Sequence, residues 1–569
     1  MLRESEAPWW RGAVIYQVYP LSFADGNGDG YGDLPGLEAR LDYIAALGVD
    51  AIWLAPFFRS PMLDWGYDVS CYTEVDPIFG TLQDADRVIN KAHALGLKVL
   101  VDQVWSHSSS RHPWFEESRA SRSGPRSDWY IWADAAPDGT PPNNWLSVFG
   151  GVAWTWEPRR RQYYLHHFLS TQPKLNLRNP EVLAAILGSG EFWLARGADG
   201  FRIDAVDFML HDPALSDNPA VPAGNGATPL KPFAFQDHRH DMLQAGVVDV
   251  MRQIRALTDR YPGTLTLAEV SSQGGAFSRI ADYTSADGLH LGYTLGLLRG
   301  ELSAELFANA LAEGARAVAD FSLCWALGNH DVVRLASRWG GTGPDRAARG
   351  RLLMTLAGAL PGTMCLYQGD ELGLPEAELA VEELRDPFGI AYWPMFPGRD
   401  GGRTPMPWHS GRKHAGFTAA SQPWLPVPDA HIGRGVDLQL RDPKSPLSEW
   451  RAFLAWRRGC LPLLHGKIAN IRQKAGVLAF ERVLGGDRML CIFNISSDAA
   501  QYRLPEELTA AILPAPGAHG LLRENDVILA AWDYLIVRLS SDSMRGSHGE
   551  EPVPAAIVQA VAEDARSPY

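Results

Sequence analysis

Residues 200–206 read GFRIDAV, a short apolar run that ends on charge, and they lie between two segments with helical spacing, 182–196 and 247–261. The same unit recurs in both directions along the chain. Upstream are 13–20 (AVIYQVYP), 49–56 (VDAIWLAP) and 97–104 (LKVLVDQV), separated by helical patterns at 37–47 and 82–95. Downstream are 264–270 (TLTLAEV), 290–298, 322–331 (SLCWALGNHD) and 362–373 (GTMCLYQGDELG). Short β-branched and aromatic runs that alternate with helices predict parallel βαβ units. Eight such units are the number that closes a (β/α)8 barrel. An open doubly wound sheet fits the same alternation, but it needs a phosphate-type glycine turn after its first strand, and none is present there.

Two stretches interrupt the alternation. Residues 108–174 are rich in Trp, Pro, Arg and Ser and read as a subdomain inserted after the third strand. Residues 375–436 are rich in Gly and Pro, without helical period, and read as a loop-rich insertion after the eighth. The barrel is thus expected from 1–107 and 175–465. From about residue 466 to 541 the pattern changes to alternating strands (VLAFERV, MLCIFNI, AAWDYLIVRL), which predicts a small antiparallel β domain. Residues 542–569 read as a polar tail with one short helix near 555–562.

Composition narrows the partners. The chain has 569 residues and a net charge of −14, with 46% hydrophobic and 21% charged residues, the profile of a globular protein. An acidic surface gains nothing from a nucleic-acid backbone or an anionic membrane, so neither is expected as a partner. No apolar run reaches the length of a membrane span, and MLRESEAPWWRG lacks the apolar core of a signal peptide. Five cysteines without CxxC spacing argue against a zinc site or a disulfide framework, so a cytoplasmic, reducing compartment is expected. The 20 Trp residues support a sugar ligand only slightly, because most Trp rings fill cores.

The strand ends carry the chemistry. Asp102 and His107 close the third run, Arg202 and Asp204 the fourth, Glu269 the fifth, and His330 with Asp331 the seventh. In a barrel these ends meet at one face, where sites are built. Any one of them is as well explained as a solvated strand-end charge, but the whole set is not. Two carboxylates across a cleft suit glycosidic bond cleavage, one as nucleophile and one as proton donor. Arg202, two residues from Asp204, shares its face and is expected to keep that carboxylate ionised. Glu269 must hold a proton, which calls for a drier setting or a negative neighbour such as Asp331. The histidines lack metal-ligand spacing and are expected to donate hydrogen bonds to sugar hydroxyls.

These residues resemble the α-amylase family of glycoside hydrolases, and within it the bacterial α-glucosidase and oligo-1,6-glucosidase branch. The matching segments run in the family's order over nearly the whole chain: IYQVYPLSFADGNGDGYGDL, GVDAIWLAP, GYDVSCY, DQVWSH, QPKLN, GFRIDAV, LAEV, GNHD, LYQGDELG and GRDGGRTPMPW. The resemblance implies the same barrel, inserted domain and C-terminal β domain. It implies Asp204 as the nucleophile that forms a β-glucosyl-enzyme, Glu269 as general acid and base, and Asp331 as stabiliser of the distorted sugar. Asp64, Tyr67, His107, Arg202 and His330 are implied around the −1 sugar, with Arg399 or its neighbour Arg403. The family is retaining, with the two carboxyls about 5–5.5 Å apart.

DGNGDGYGD places Asp25, Asn27, Asp29 and Asp33 at alternate positions, oxygen donors that suit Ca²⁺ or Mg²⁺. The twelfth position is Gly36 and not Glu, so the loop is not an EF-hand. The resemblance adds the backbone carbonyl of Tyr31 and a structural role. It also locates a departure. Where family amylases hold a calcium between barrel and inserted domain, this chain has Ser106 and Lys174, so that second site is expected to be absent.

The residue after the nucleophile is Ala205, which in this branch accompanies α-1,4 rather than α-1,6 preference. The expected substrates are therefore short α-1,4-glucosides such as maltose, with water, sugars or alcohols as glucosyl acceptors. Sucrose-, trehalose- and α-1,6-acting relatives share the scaffold and remain alternatives, as does a non-catalytic sugar-binding relative. Residues 211–240 follow the fourth strand and read as a specificity loop.

Overall fold

Period two decides what each barrel strand turns inward. Ile15, Trp53, Leu100, Leu267, Leu291 and Cys324 form one buried cluster inside the ring, and two residues further along several of these strands stand Asp102, Glu269 and Tyr293. The computed structural model describes residues 7–221, 231–271, 274–318, 322–341, 343–505 and 508–541. Its eight barrel strands are Val14–Val18, Ala51–Leu54, Lys98–Gln103, Gly200–Ile203, Leu265–Val270, Leu291–Thr294, Cys324–Ala326 and Thr363–Tyr367. All neighbours in this sheet pair in parallel, and a parallel bridge from Gly292 to Leu323 joins the sixth strand to the seventh. That closure decides for the barrel against the open sheet.

Most expected runs overshoot the strands at their C-terminal ends, the seventh by five residues, where GNHD has left the sheet, and the eighth by six. Asp204, His330 and Asp331 lie on these overshoots, whereas Asp102, Arg202 and Glu269 lie on the strands. Outer helices begin where the sequence offers caps. Thr81 and Asp84 form a capping box ahead of Leu82–Ala94, and Asn179 caps Pro180–Ala195, whose first residue is proline.

Residues 108–174 fold around the strands Trp132–Ala133, Gln162–Leu165 and Trp154–Glu157, with the helix Pro113–Ala120 beside them. Residues 375–436 hold only short helical turns, of which Pro387–Tyr392 is the longest. After His465 come a five-stranded and a three-stranded antiparallel sheet, packed through Val477, Leu490, Ile492, Val527, Leu529 and Val537. Buried Arg482 fastens this unit to the barrel by donating to the carbonyl of Ala359 at 2.6 Å, beside the Gly358 carbonyl that Arg457 of the preceding helix holds at 2.6 Å. The expected helix near 555–562 lies outside the described residues. Among the described residues no helix is long and apolar enough to cross a membrane.

One glycine fixes how closely the fourth strand approaches the fifth. Gly200 has φ +140°, and a Cβ there would lie 1.9 Å from the carbonyl oxygen of Leu265. Gly200→Ala is therefore expected to push the strand that carries Arg202 off its neighbour and to destabilise the fold by at least ~2 kcal/mol, read as a depressed Tm.

Candidate active site

Register builds the centre of the site. Asp102 on the third strand pairs with Arg202 on the fourth, and Glu269 on the fifth pairs with Tyr293 on the sixth. Arg202 is fully buried. Its Nη1 donates to Asp102 at 2.9 Å and to Asp204 at 2.7 Å, while its Nη2 lies 2.6 Å from Glu269. Nε and Nη2 also reach the Tyr293 hydroxyl, at 3.1 and 2.9 Å. Asp102 takes two further hydrogen bonds, from Trp53 Nε1 at 3.0 Å and from the Tyr67 hydroxyl at 3.1 Å. One guanidinium thus holds three carboxylates from three adjacent strands.

Sharing changes the electrostatics expected from Arg202 and Asp204 alone. Burial pushes Asp204 up to about 7, against the pull of Arg202 and with Asp102 adding to the rise. Glu269 is likewise pushed up to about 7, by burial first, with Asp204 and then Asp331 adding to it. Arg202 divides its charge among three acids, so it does not by itself offset the burial of Asp204. Asp102, pushed up by burial to about 6, titrates together with Asp204.

Asp331 has the opposite setting. Arg399 Nη1 lies 3.1 Å from it and Arg403 Nη2 2.8 Å. Although burial opposes ionisation, His330 and these two cations hold Asp331 well below the usual carboxylate range. Both arginines therefore join the site, and the choice between them disappears. Arg399 also binds Asp64 at 2.8 Å and Asp386 at 2.7 Å. Against the push of burial, Arg399 holds Asp386 down to about 2.

The two histidines are held neutral by burial, His330 lowered to about 3 and His107 to about 4. Gln17 Nε2 lies 2.8 Å from His330 Nδ1, so Nδ1 accepts and Nε2 carries the proton, facing Asp331 at 3.4 Å. The rings of Tyr67 and Tyr19 stack on its two sides at 5.1 and 5.5 Å. His107 instead binds within the protein, to the Tyr67 carbonyl and the Ser106 hydroxyl, both at 2.9 Å. Gln172 Nε2 bonds Asp64 at 3.0 Å and the Tyr67 carbonyl at 3.1 Å.

All nine side chains assigned to catalysis and sugar binding are therefore gathered at one barrel face. Trp53, Tyr293, Gln17, Gln172 and Asp386 belong to the same network, and sequence reading did not find them. For Gln172 a signal existed, since it opens the QPKLN segment.

The mouth is walled by three loops. Phe149 of the inserted subdomain stacks on Phe388 of the insertion after the eighth strand, with ring centres 4.7 Å apart, and Arg399 lies 5.0 Å from the Phe149 ring. The described part of residues 211–240 leans on the inserted subdomain, where Trp145 Nε1 donates to the Ser216 carbonyl at 2.8 Å; residues 222–230 of that segment lie outside the described residues. Lys174 is buried, its ammonium donating to the carbonyls of Phe208 and Met209, the latter at 3.1 Å. Burial lowers it to about 7.

The Asp25–Asp33 turn lies away from this cluster, at the head of the helix Leu34–Ala46. Asp25 accepts from the backbone of Asn27 at 3.1 Å, Gly28 at 2.6 Å and Gly30 at 2.9 Å, and Asp29 from Tyr31 at 2.9 Å. Asp33 is buried as the helix cap and takes N–H groups from Gly26, Asn27 and Gly36. The Thr418 hydroxyl also donates to Asp25, so the oxygens of Asp25 and Asp33 are both engaged within the turn, and those of Asp29 less so. Among the described residues no group of three or more His, Cys, Asp or Glu is gathered for a metal. A cation here would draw on amide and carbonyl oxygens as well.

Comparison with known proteins agrees with this geometry. The model of the α-amylase catalytic domain matches residues 17–465. The chain belongs to the α-amylase family of glycoside hydrolases. Within the family it is 48% identical over 548 residues to a probable α-glucosidase of Rhizobium meliloti, covering 95% of this chain and 98% of that one. It is 32% identical to an oligo-1,6-glucosidase of Parageobacillus thermoglucosidasius, over 88% of this chain and 93% of the relative. Among solved structures, the α-glucosyl transfer enzyme XgtA superposes with a TM-score of 0.90 at 49% identity, covering 94% of this chain and 99% of that one. This member of the family is thus a glycoside hydrolase with α-glucosidase relatives.

The raised carboxyls have a consequence for stability. A carboxyl lifted to about 7 in the folded state favours folding when protonated, and that contribution is lost as pH rises from the ordinary carboxyl range through 7. Asp204→Asn imitates the protonated form. The expected outcome is a higher Tm than wild type at pH 8, a gap that narrows as pH falls and closes only below the ordinary carboxyl range, and turnover lowered by several orders of magnitude.

Proposed function

We propose that the enzyme is a retaining, exo-acting α-glucosidase that releases terminal α-glucose from short α-1,4-linked substrates such as maltose. The observation that carries this reading is the single guanidinium that holds Asp204 and Glu269 together, at 2.7 and 2.6 Å. Two carboxyls held that closely suit nucleophilic attack better than the wider pair that admits a water in inverting enzymes. Asp204 attacks C1 of the terminal glucose while Glu269 gives its proton to the departing glycosidic oxygen. A β-glucosyl ester results. Glu269, now ionised, takes a proton from water as the water oxygen bonds C1, and α-glucose and the free Asp204 carboxylate are restored. Asp331, kept ionised by Arg399 and Arg403, accepts hydrogen bonds from sugar hydroxyls and favours the positive charge that develops at C1.

Exo-action is supported by the packed wall of Phe149 and Phe388, which favours a blind pocket over an open groove. The α-1,4 preference rests on Ala205. Its φ is +45°, a left-handed conformation that costs a β-branched residue more than alanine, and its small side chain leaves room beside Glu269. A sugar or alcohol hydroxyl can replace water in the second step, and the likeness to an α-glucosyl transfer enzyme supports that branch. Equal concentrations of maltose, isomaltose, sucrose and trehalose, followed together by NMR, test the whole reading. α-Glucose is expected first, and from maltose. Initial β-glucose would overturn retention, and prior loss of isomaltose or sucrose would overturn the linkage assignment.

We also propose a structural Ca²⁺ or Mg²⁺ on Asp25, Asn27, Asp29, Asp33 and the Tyr31 carbonyl, with Asp25 and Asp33 sharing oxygens that also accept hydrogen bonds within the turn. Bound there, the cation would brace the turn before the first outer helix and take no part in turnover. Chelation is expected to lower Tm, with restoration by added Ca²⁺ or Mg²⁺, while kcat at low temperature stays unchanged.

A further inference from the structure

The two working carboxyls stand on different strands, and their relative height depends on the turns that follow them. Beyond Asp204 the chain enters the short helical turn Val206–Phe208, and Ala205 N donates to Glu269 Oε2 at 3.2 Å. Asp207, in that turn, is fully buried. Its Oδ2 accepts the backbone N–H of Ser271 at 2.7 Å, two residues beyond Glu269. Its Oδ1 accepts the Tyr283 hydroxyl at 2.6 Å and faces Arg279 Nε at 3.3 Å. Arg279 closes the loop by donating to the Ser271 carbonyl at 2.7 Å. The turn itself is pinned, since Leu243 N donates to the Asp207 carbonyl at 2.9 Å. A buried carboxylate needs several donors to be tolerated, and this one spends them on the peptide that follows Glu269. Neither sugar binding nor bond cleavage as described above uses it.

We propose that Asp207 is a positioning residue for proton transfer: it ties the end of the fifth strand to the turn after the nucleophile and so fixes the Glu269 carboxyl against the glycosidic oxygen. This rests on the assignment of Glu269 as acid and base. An amide replaces the carboxylate only in part. With its oxygen kept on the Ser271 N–H, Asn turns its NH2 toward Tyr283, whose hydroxyl can rotate to accept, but also against the donor-only Arg279, and the clamp loses its charge on that side. Displacement of a reacting group by about 1 Å costs on the order of 100-fold in rate.

The test separates proton donation from general damage by leaving group. Maltose needs a proton on its departing oxygen, whereas fluoride leaves from α-glucosyl fluoride with little help. Asp207→Asn is expected to lower kcat/KM for maltose by about 100-fold and for α-glucosyl fluoride by less than about 3-fold. Tyr283→Phe, which removes one of the clamp's bonds and keeps Ser271 bound, is expected to give the same split at about 5-fold against no change. Equal losses on both substrates, or no loss on either, would overturn the proposal. If Asp207→Asn does not fold, Tyr283→Phe decides alone by the same split. A wild-type protein inert on both substrates would instead remove the assignment of Glu269, and this inference with it.

Discussion

The fold depends on satisfying one buried cation. The guanidinium of Arg202 has no contact with solvent, and a charge in that position is tolerated only when opposite charges and hydrogen bonds surround it. Asp102, Asp204 and Glu269 supply the charges and Tyr293 the remaining acceptor. Each partner comes from a different strand or strand end, so the ion cluster is satisfied only at one register of the third to sixth strands. Apolar packing inside the barrel favours closure without choosing among registers one residue pair apart. The cluster makes that choice.

Two acid environments follow from how cations are distributed. Arg202 serves three carboxyls, and burial wins: Asp204 and Glu269 are lifted toward neutrality. Around Asp331 two arginines and an imidazole converge on one carboxyl, and ionisation wins. The same residue type thus yields two carboxyls lifted toward neutrality and one fixed anion. Neutral His330, stacked against two tyrosines, lies 3.4 Å from that anion without adding charge. A catalyst that must both move a proton and favour positive charge at carbon needs this division.

The barrel was legible because strands buried on both faces read as continuous apolar runs, and because charges that end such runs stand out. Ser322 to Asp331 illustrates the limit. Leu327 prolongs the apolar pattern, but the strand stops at Ala326, so periodicity placed GNHD on the sheet while hydrogen bonding places it in the loop. Network members such as Trp53 and Tyr293 were hidden for another reason. Inside an apolar strand they look like core, and only the neighbour across the ring reveals their polar ends. Asp386 sits in a stretch without period, 13 residues before the arginine that it holds, where no pattern links the two. That Arg202 is near Asp204 is legible in the sequence, but how many acids it serves is not.

The outer loops can vary only within limits set by this cluster. The inserted subdomain and the insertion after the eighth strand meet at Arg399, whose guanidinium contacts Asp64, Asp331 and Asp386 from three separate loops and lies over Phe149. Lys174 sets a further limit, since its buried ammonium holds the carbonyls of Phe208 and Met209 a few residues beyond Asp204. Side chains at the loop tips, such as Phe149 and Phe388, can therefore change while the bases of the same loops stay tied to the buried charges. A family built this way can alter linkage and acceptor through a few side chains at the mouth and keep one chemistry at the floor.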